Sequence, residues 1–89
     1  MSSIQAFYRV TEGEFIRQLQ SGSITRVNAQ ELQKGTLKFA VVAVNASKQI
    51  AFVMRHGRID EPRTWRLDNL AKFLSKHGVS GFETTFAER

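Results

Sequence analysis

The residues of this sequence best suited to chemistry are arginines grouped around one tryptophan between positions 55 and 66. Guanidinium groups bind a phosphate or the edge of a guanine through two parallel hydrogen bonds, and an exposed indole can stack on a base. Two lysines on the amphipathic segment that follows extend the basic surface. The pattern predicts a nucleic-acid-binding surface formed by Arg55, Arg58, Arg63, Trp65, Arg66, Lys72 and Lys76.

Each of these residues also has a plainer interpretation. Asp60 and Glu61 lie in the same stretch and could pair with the arginines. A tryptophan is more often a core or edge-covering residue than a stacking surface. The lysines Lys72 and Lys76 could simply solvate their helix. The sequence leaves both interpretations open.

Catalytic and metal chemistry find little support in the sequence. His56 and His77 are the two histidines, and no glycine-rich phosphate loop, metalloprotease motif or carboxylate-rich run accompanies them. His77 falls in the last turn of a predicted helix, where an imidazole suits the unpaired carbonyls. The carboxylates Glu12 and Glu14 fit a helix start better than a catalytic pair. We therefore expect a protein that is not an enzyme, with no catalytic residues, metal ligands or cofactor.

The charge balance is basic, with 13 Lys and Arg against 8 Asp and Glu, for a net charge of +5. An excess of positive charge favours polyanions, either nucleic acid or an acidic protein surface, although it also serves solubility alone. The chain has no cysteine, which fits a reducing compartment. No apolar run is long enough to span a membrane. We expect one domain over residues 1–89, in the cytoplasm and without a membrane partner.

The first half of the chain shows a strand, a capped helix and a hairpin. The strand is predicted over 4–10, and Thr11 with Glu14 has capping-box spacing for a helix that ends near Gln20, before Gly22. Residues 28–31 repeat the cap spacing and predict a single helical turn closed by Gly35. The remaining predicted segments are a short strand or extended link at 23–27, a central strand at 37–44, a turn at 45–48 and a return strand at 49–55.

The second half predicts a short edge strand, a helix and a closing strand. Residues 63–66 could pair as an edge strand, because Pro62 bars a central position. Asp68 is the expected N-cap of a helix that Gly78 ends. Residues 82–86 alternate as a strand. The fold class is therefore α+β, a small single-layer antiparallel or mixed sheet of four to six strands with two helices packed on one face.

Residues 50–86 resemble the small partition-associated proteins of plasmids, often called ParC-like. The matching positions are Arg55, Gly57, Arg63, Trp65, Leu67-Asp68, Ala71, Phe73-Leu74, Gly78 and Phe82-Glu83. In this sequence His56 stands between the first arginine and glycine, and Trp65 stands where the family tends to have another aromatic residue. Nearly all these positions are caps, core or glycine stops, so the resemblance implies a shared fold more than a shared activity. It implies an accessory protein of a plasmid or other mobile element.

Two functions follow as hypotheses. The first is nucleic-acid binding through the basic arginine-rich hairpin and helix face. The second is a protein-interaction module or inhibitor, dimeric, whose basic face meets an acidic protein. A homodimer fits the small size of the domain, and an exposed sheet edge is expected near Pro62.

Overall fold

The computed structural model describes residues 4–88, which form a five-stranded mixed sheet and two helices. In chain order the elements are β1 (Ala6–Val10), α1 (Glu12–Gln20), β2 (Arg26–Glu31), β3 (Phe39–Asn45), β4 (Ile50–Met54), α2 (Leu67–Lys76) and β5 (Glu83–Thr85). The strand order is β1-β4-β3-β2-β5. The predicted α+β class is confirmed.

The centre of the sheet is the antiparallel run β2-β3-β4. Six of the seven residues of β3 are buried, as the sequence predicted for a central strand. Branched and aromatic side chains suit this position because β3 is paired with a strand on each side, β2 and β4. The predicted hairpin of β3 and β4 is also confirmed. Its turn is held by the Asn45 side-chain oxygen, which accepts a hydrogen bond from the Lys48 N–H at 3.2 Å.

The outer strands are parallel to their neighbours, β1 to β4 and β5 to β2. Each parallel connection contains a helix, and both helices pack against the same face of the sheet. Phe15 of α1 and Leu70 and Leu74 of α2 share one core with Val41 and Met54. Within residues 4–88, neither helix has the length and apolar character that crossing a membrane requires.

The start of α1 is the predicted capping box. Thr11 is the N-cap, and its hydroxyl oxygen accepts a hydrogen bond from the Glu14 N–H at 3.2 Å. The Glu14 carboxylate accepts one in return from the Thr11 N–H at 3.0 Å. The helix ends at Gln20, and Gly22 follows in the left-handed conformation with φ 81°. The structural role predicted for Glu14 is confirmed.

The helical turn predicted at residues 28–31 is wrong, because these residues belong to β2. Val27, Ala29 and Glu31 alternate as buried residues toward the helices, which is the period of a strand. The cap-like spacing misled because polar Asn28 and Gln30 lie on the other face of the sheet. Gly35 does adopt a left-handed conformation, but in the loop between β2 and β3.

The edge strand predicted at 63–66 is also wrong. This segment makes isolated bridges, Arg55 with Pro62 and Phe39 with Trp65, at the end of the hairpin where the ladder of β3 and β4 has stopped. The edges of the sheet are β1 and β5. Pro62 lines a groove together with Phe7 and Arg9 of β1, so the exposed edge near Pro62 is β1 and not the segment 63–66. Pro62 fits this bridging position, since proline lacks the N–H that a ladder requires.

The start of α2 differs from prediction, whereas its end agrees. The N-cap is Arg66, which makes no side-chain capping hydrogen bond, and Asp68 lies within the first turn. At the other end Gly78 has φ 86°, and the Val79 N–H donates to the Leu74 carbonyl at 3.0 Å. Val79 packs against the core. The predicted glycine stop is confirmed.

A buried carboxylate fixes the loop after β2. Glu31 is 1 % exposed, and its two oxygens accept hydrogen bonds from the N–H groups of Leu37 at 2.8 Å and Ala87 at 3.0 Å. Leu37 has φ 55°, a conformation that costs energy for a residue with a side chain. Glu31 therefore joins a strained loop residue to the segment that follows β5.

Candidate nucleic-acid interface

The turn after β4, residues 55–61, presents the first predicted basic residues. The His56 N–H donates to the Glu61 carbonyl at 2.7 Å, and the Ile59 N–H donates to the His56 carbonyl at 3.0 Å. Gly57 has φ 56°, which favours glycine in this tight turn. Arg58 therefore lies at the exposed tip. We call residues 55–61 the basic turn.

Arg55 and Arg58 carry no ion pair within residues 4–88. The Arg55 Nε donates to the Gly57 carbonyl at 3.1 Å, which holds its side chain against the turn, and its charge acts on the Glu14 carboxylate of α1 without forming an ion pair. The acidic residue Asp60 pairs with Arg9 of β1 at 3.2 Å instead of with an arginine of the turn. The turn thus keeps two cations without an ion pair within residues 4–88, Arg55 and Arg58, beside the carboxylate of Glu61.

Arg63 and Arg66 have carboxylate partners. The Arg63 Nη1 lies 2.7 Å from Glu12 at the start of α1, and the Arg66 Nη2 lies 3.2 Å from Asp68. Both pairs are substantially exposed, so each contributes little stability and could exchange for another anion. These two arginines are less available to a ligand than Arg58.

Trp65 packs within the protein. The Arg63 guanidinium lies 4.0 Å from the centre of the indole ring, and the Phe73 ring of α2 lies 5.0 Å from it. The indole Nε1 is buried and has no hydrogen-bond partner among residues 4–88. The indole thus links the segment before α2 to the helix. In this structure it is a packing residue more than an open stacking surface.

Lys72 and Lys76 lie on the exposed side of α2. They are one turn apart, whereas Leu70 and Leu74 face the core. Neither lysine has an ion pair within the described residues. They supply two flexible cations on one helix face, as the spacing predicted.

The two histidines lie on different elements. His56 is exposed in the basic turn, and His77 is the C-cap residue of α2 with its ring 4.8 Å from that of Phe73. Among residues 4–88 there is no group of three His, Asp or Glu side chains placed to hold a metal ion.

One basic residue near this surface escaped the sequence reasoning. Lys38 and Arg66 both line a groove that Phe39, Leu67 and Phe86 also line. The signal was present, because Lys38 is the one charged residue in the apolar run at 37–44. Its nearness to α2 depends on the bridge from Phe39 to Trp65, which no local pattern shows.

The fold thus brings together a stack of four side chains, Arg63, Trp65, Phe73 and His77, between the basic turn and α2.

Comparison with known proteins finds no matching family model, curated protein or solved structure. The resemblance of residues 50–86 to ParC-like proteins therefore stays a prediction.

Proposed function

We propose that this chain is a non-enzymatic accessory protein of a plasmid or other mobile element. It binds nucleic acid through the backbone phosphates, using the basic turn and the exposed side of α2. The resemblance to ParC-like proteins supports the mobile-element setting, and the distribution of uncompensated charge supports the binding.

The observation that carries the proposal is which cations lack a carboxylate partner. In the predicted surface, Arg55, Arg58, Lys72 and Lys76 make no ion pair within residues 4–88. Of the nearby acids, Asp60 and Asp68 pair with Arg9 and Arg66, whereas Glu61 of the turn makes no ion pair within residues 4–88. Cations without a carboxylate partner attract phosphates and release the counterions that surround nucleic acid.

Arg63 and Trp65 have a supporting role in this proposal. The Arg63 guanidinium connects the start of α1 with the Trp65 ring, and Trp65 packs on Phe73 of α2. This chain of contacts fixes the segment between the basic turn and the helix. Arg66 could exchange Asp68 for a phosphate at small cost, since the pair is exposed.

The test is binding of a fluorescent random DNA duplex and a single strand across a salt series. Neutralising about four phosphates gives a slope of about −3 to −4 for log affinity against log salt on duplex DNA. The variants Arg58→Ala and Lys72→Ala are each expected to weaken binding and to reduce the steepness of the slope by about one. Lys48→Ala is the matched control, since Lys48 is an exposed cation in the turn between β3 and β4, at the other end of the hairpin.

Two results would overturn the proposal. The first is absence of binding to either DNA at low salt. The second is an equal loss of binding in Lys48→Ala and Arg58→Ala, which would indicate general charge attraction without a defined surface.

A second function, a protein-interaction module, is favoured by a different observation. The open face of the sheet, which is the face opposite the helices, carries the half-buried Val42 and Val53 beside the exposed Phe7. No described element covers these side chains. A complex with an acidic protein that survives nuclease treatment, formed by a protein that fails to bind DNA, would favour this alternative.

A further inference from the structure

The two edges of the sheet differ in a way that bears on assembly. β5 has three residues, Glu83, Thr84 and Thr85, and so is short and polar, as protected edges usually are. β1 has five residues, and its Phe7 and Tyr8 are 62 % and 50 % exposed on opposite faces of the sheet. β1 pairs with β4 on one side and with no described strand on the other. It is an unprotected edge.

A groove flanks β1 on each face of the sheet. On the open face, Phe7, Arg9, Val53 and Pro62 line a groove of about 650 Å³. On the helix face, Tyr8, Val10, Phe52 and Arg17 are among the residues lining another of about 520 Å³. A strand added at this edge would direct alternate side chains into the two grooves.

We infer that the strand added at this edge is β1 of a second copy of this chain, in antiparallel orientation about a two-fold axis at Tyr8. This is the register that pairs the whole strand. It places Tyr8 opposite the second copy's Tyr8, Phe7 opposite its Arg9, and Ala6 opposite its Val10. The result is a continuous ten-stranded sheet with both pairs of helices on one face.

The side chains of β1 complement themselves in this register. The ring of each Phe7 lies opposite the guanidinium of the second copy's Arg9. The two-fold symmetry gives this pair of side chains twice in the dimer. Arg9 can turn toward Phe7 at little cost, since its pair with Asp60 is exposed on both sides. The small Ala6 meets Val10, and the two tyrosines fill the helix-face grooves. A partner strand with acidic residues in place of Arg9 would lack this match.

Sedimentation velocity across a concentration series, without nucleic acid, tests the assembly with a matched pair of variants at one exposed position. Phe7→Glu places a carboxylate opposite the second copy's Arg9 and is expected to keep the dimer. Phe7→Lys places like charges opposite each other twice and is expected to weaken dimerisation about tenfold. Circular dichroism establishes that both variants fold. Equal dissociation in the two variants, or a monomer at every concentration of the unaltered protein, would overturn the inference.

The absence of cysteine allows a second, independent test. Directly opposite residues of antiparallel strands lie about 4.5 to 5.5 Å apart between Cα atoms, which suits a disulfide. Tyr8→Cys is therefore expected to form a covalent dimer under mild oxidation at low protein concentration. Phe86→Cys, at a comparably exposed position beyond β5, is the control. Equal cross-linking of the two variants would overturn the register.

Discussion

The two helices of this protein begin in different ways. At α1, Thr11 and Glu14 satisfy each other's backbone N–H groups through their side chains. At α2 the N-cap residue Arg66 provides no side-chain cap. There the preceding residue is anchored to the sheet, since the backbone groups of Trp65 and Phe39 exchange hydrogen bonds at 2.8 and 2.9 Å.

The comparison shows that the start of α1 depends on the local sequence, whereas the start of α2 depends on tertiary contacts. The start of α1 is encoded within four consecutive residues, so it needs no contact with the rest of the chain. The position of α2 depends on β3, through the bridge to Phe39, and on the packing of Trp65 against Phe73. Perturbing each start should therefore produce effects of different size and different pH dependence.

The largest effect is expected from Trp65→Ala. This change removes the ring that contacts both Arg63 and Phe73, and it leaves a cavity between the sheet and α2. We expect the free energy of unfolding to fall by about 3 kcal/mol, measured by urea denaturation. The comparison variant Phe86→Ala removes a ring that is 52 % exposed and should cost less. Equal losses would mean that Trp65 does not anchor α2.

Thr11→Ala should have a smaller effect. It removes the hydroxyl oxygen that accepts from the Glu14 N–H, and the hydroxyl group also donates to the Glu14 carboxylate at 2.8 Å. We expect a loss of about 1 kcal/mol in the same denaturation experiment at neutral pH. Thr11→Ser keeps the hydroxyl and is the control, so a loss of stability in Thr11→Ser as large as in Thr11→Ala would contradict a capping role.

The cost of Thr11→Ala should depend on pH. Hydrogen bonds from the Thr11 N–H and then its hydroxyl hold the pKa of the Glu14 carboxyl below its ordinary value of 4.5. Because the pKa is lowered in the folded state, the stabilisation is fully present above pH 4.5 and is lost as the pH falls through the lowered value. Denaturation of both proteins from neutral pH to strongly acidic pH should therefore show their difference narrowing. A constant difference would indicate that the Thr11 hydroxyl is not coupled to the Glu14 carboxylate.

The smallest expected effect is a gain in stability. Arg66→Ser places a hydroxyl at the N-cap of α2, where the extended backbone with ψ 145° is suitable for capping. We expect thermal denaturation to show a gain of about 0.5 kcal/mol, partly offset by loss of the exposed pair with Asp68. Arg66→Ala, which loses the pair without adding a cap, is the control. A serine variant no more stable than the alanine variant would mean that the bridge at Trp65 already fixes this helix start.

Local patterns were sufficient for much of the fold. The capping box, the buried strand β3, its hairpin with β4 and the glycine stop at Gly78 all depend on neighbouring residues, and each was predicted. A short strand was one interpretation of residues 23–27, but the part of β2 at 28–31 was missed because Asn28 and Gln30 lie on the open face and Glu31 is buried through distant hydrogen bonds. A buried glutamate looks like a helix-capping residue when its partners are not visible in the sequence.

The candidate site was predicted as a set of residue types but not as an arrangement. The sequence shows that Arg63 and Arg58 are both arginines, whereas only the fold shows that Arg63 reaches Glu12, a residue 51 positions earlier. Likewise Asp60 pairs with Arg9 instead of with an arginine of its own turn. Which cations keep their charge uncompensated is therefore a property of tertiary structure.

The pairing of the outer strands has a consequence for the order of folding. The central strands β2, β3 and β4 follow one another along the chain, so they can pair after closing only short loops. β1 must wait for β4, since Ala6 lies opposite Ile50, and β5 must reach back so that Glu83 lies opposite Asn28. Because long chain segments must close before these pairs form, both outer strands are expected to dock late in folding and to open early in unfolding. Among the strands of the monomer, amide exchange should consequently be slowest in β3 and fastest in β1 and β5, and pairing of β1 in the dimer should slow its exchange.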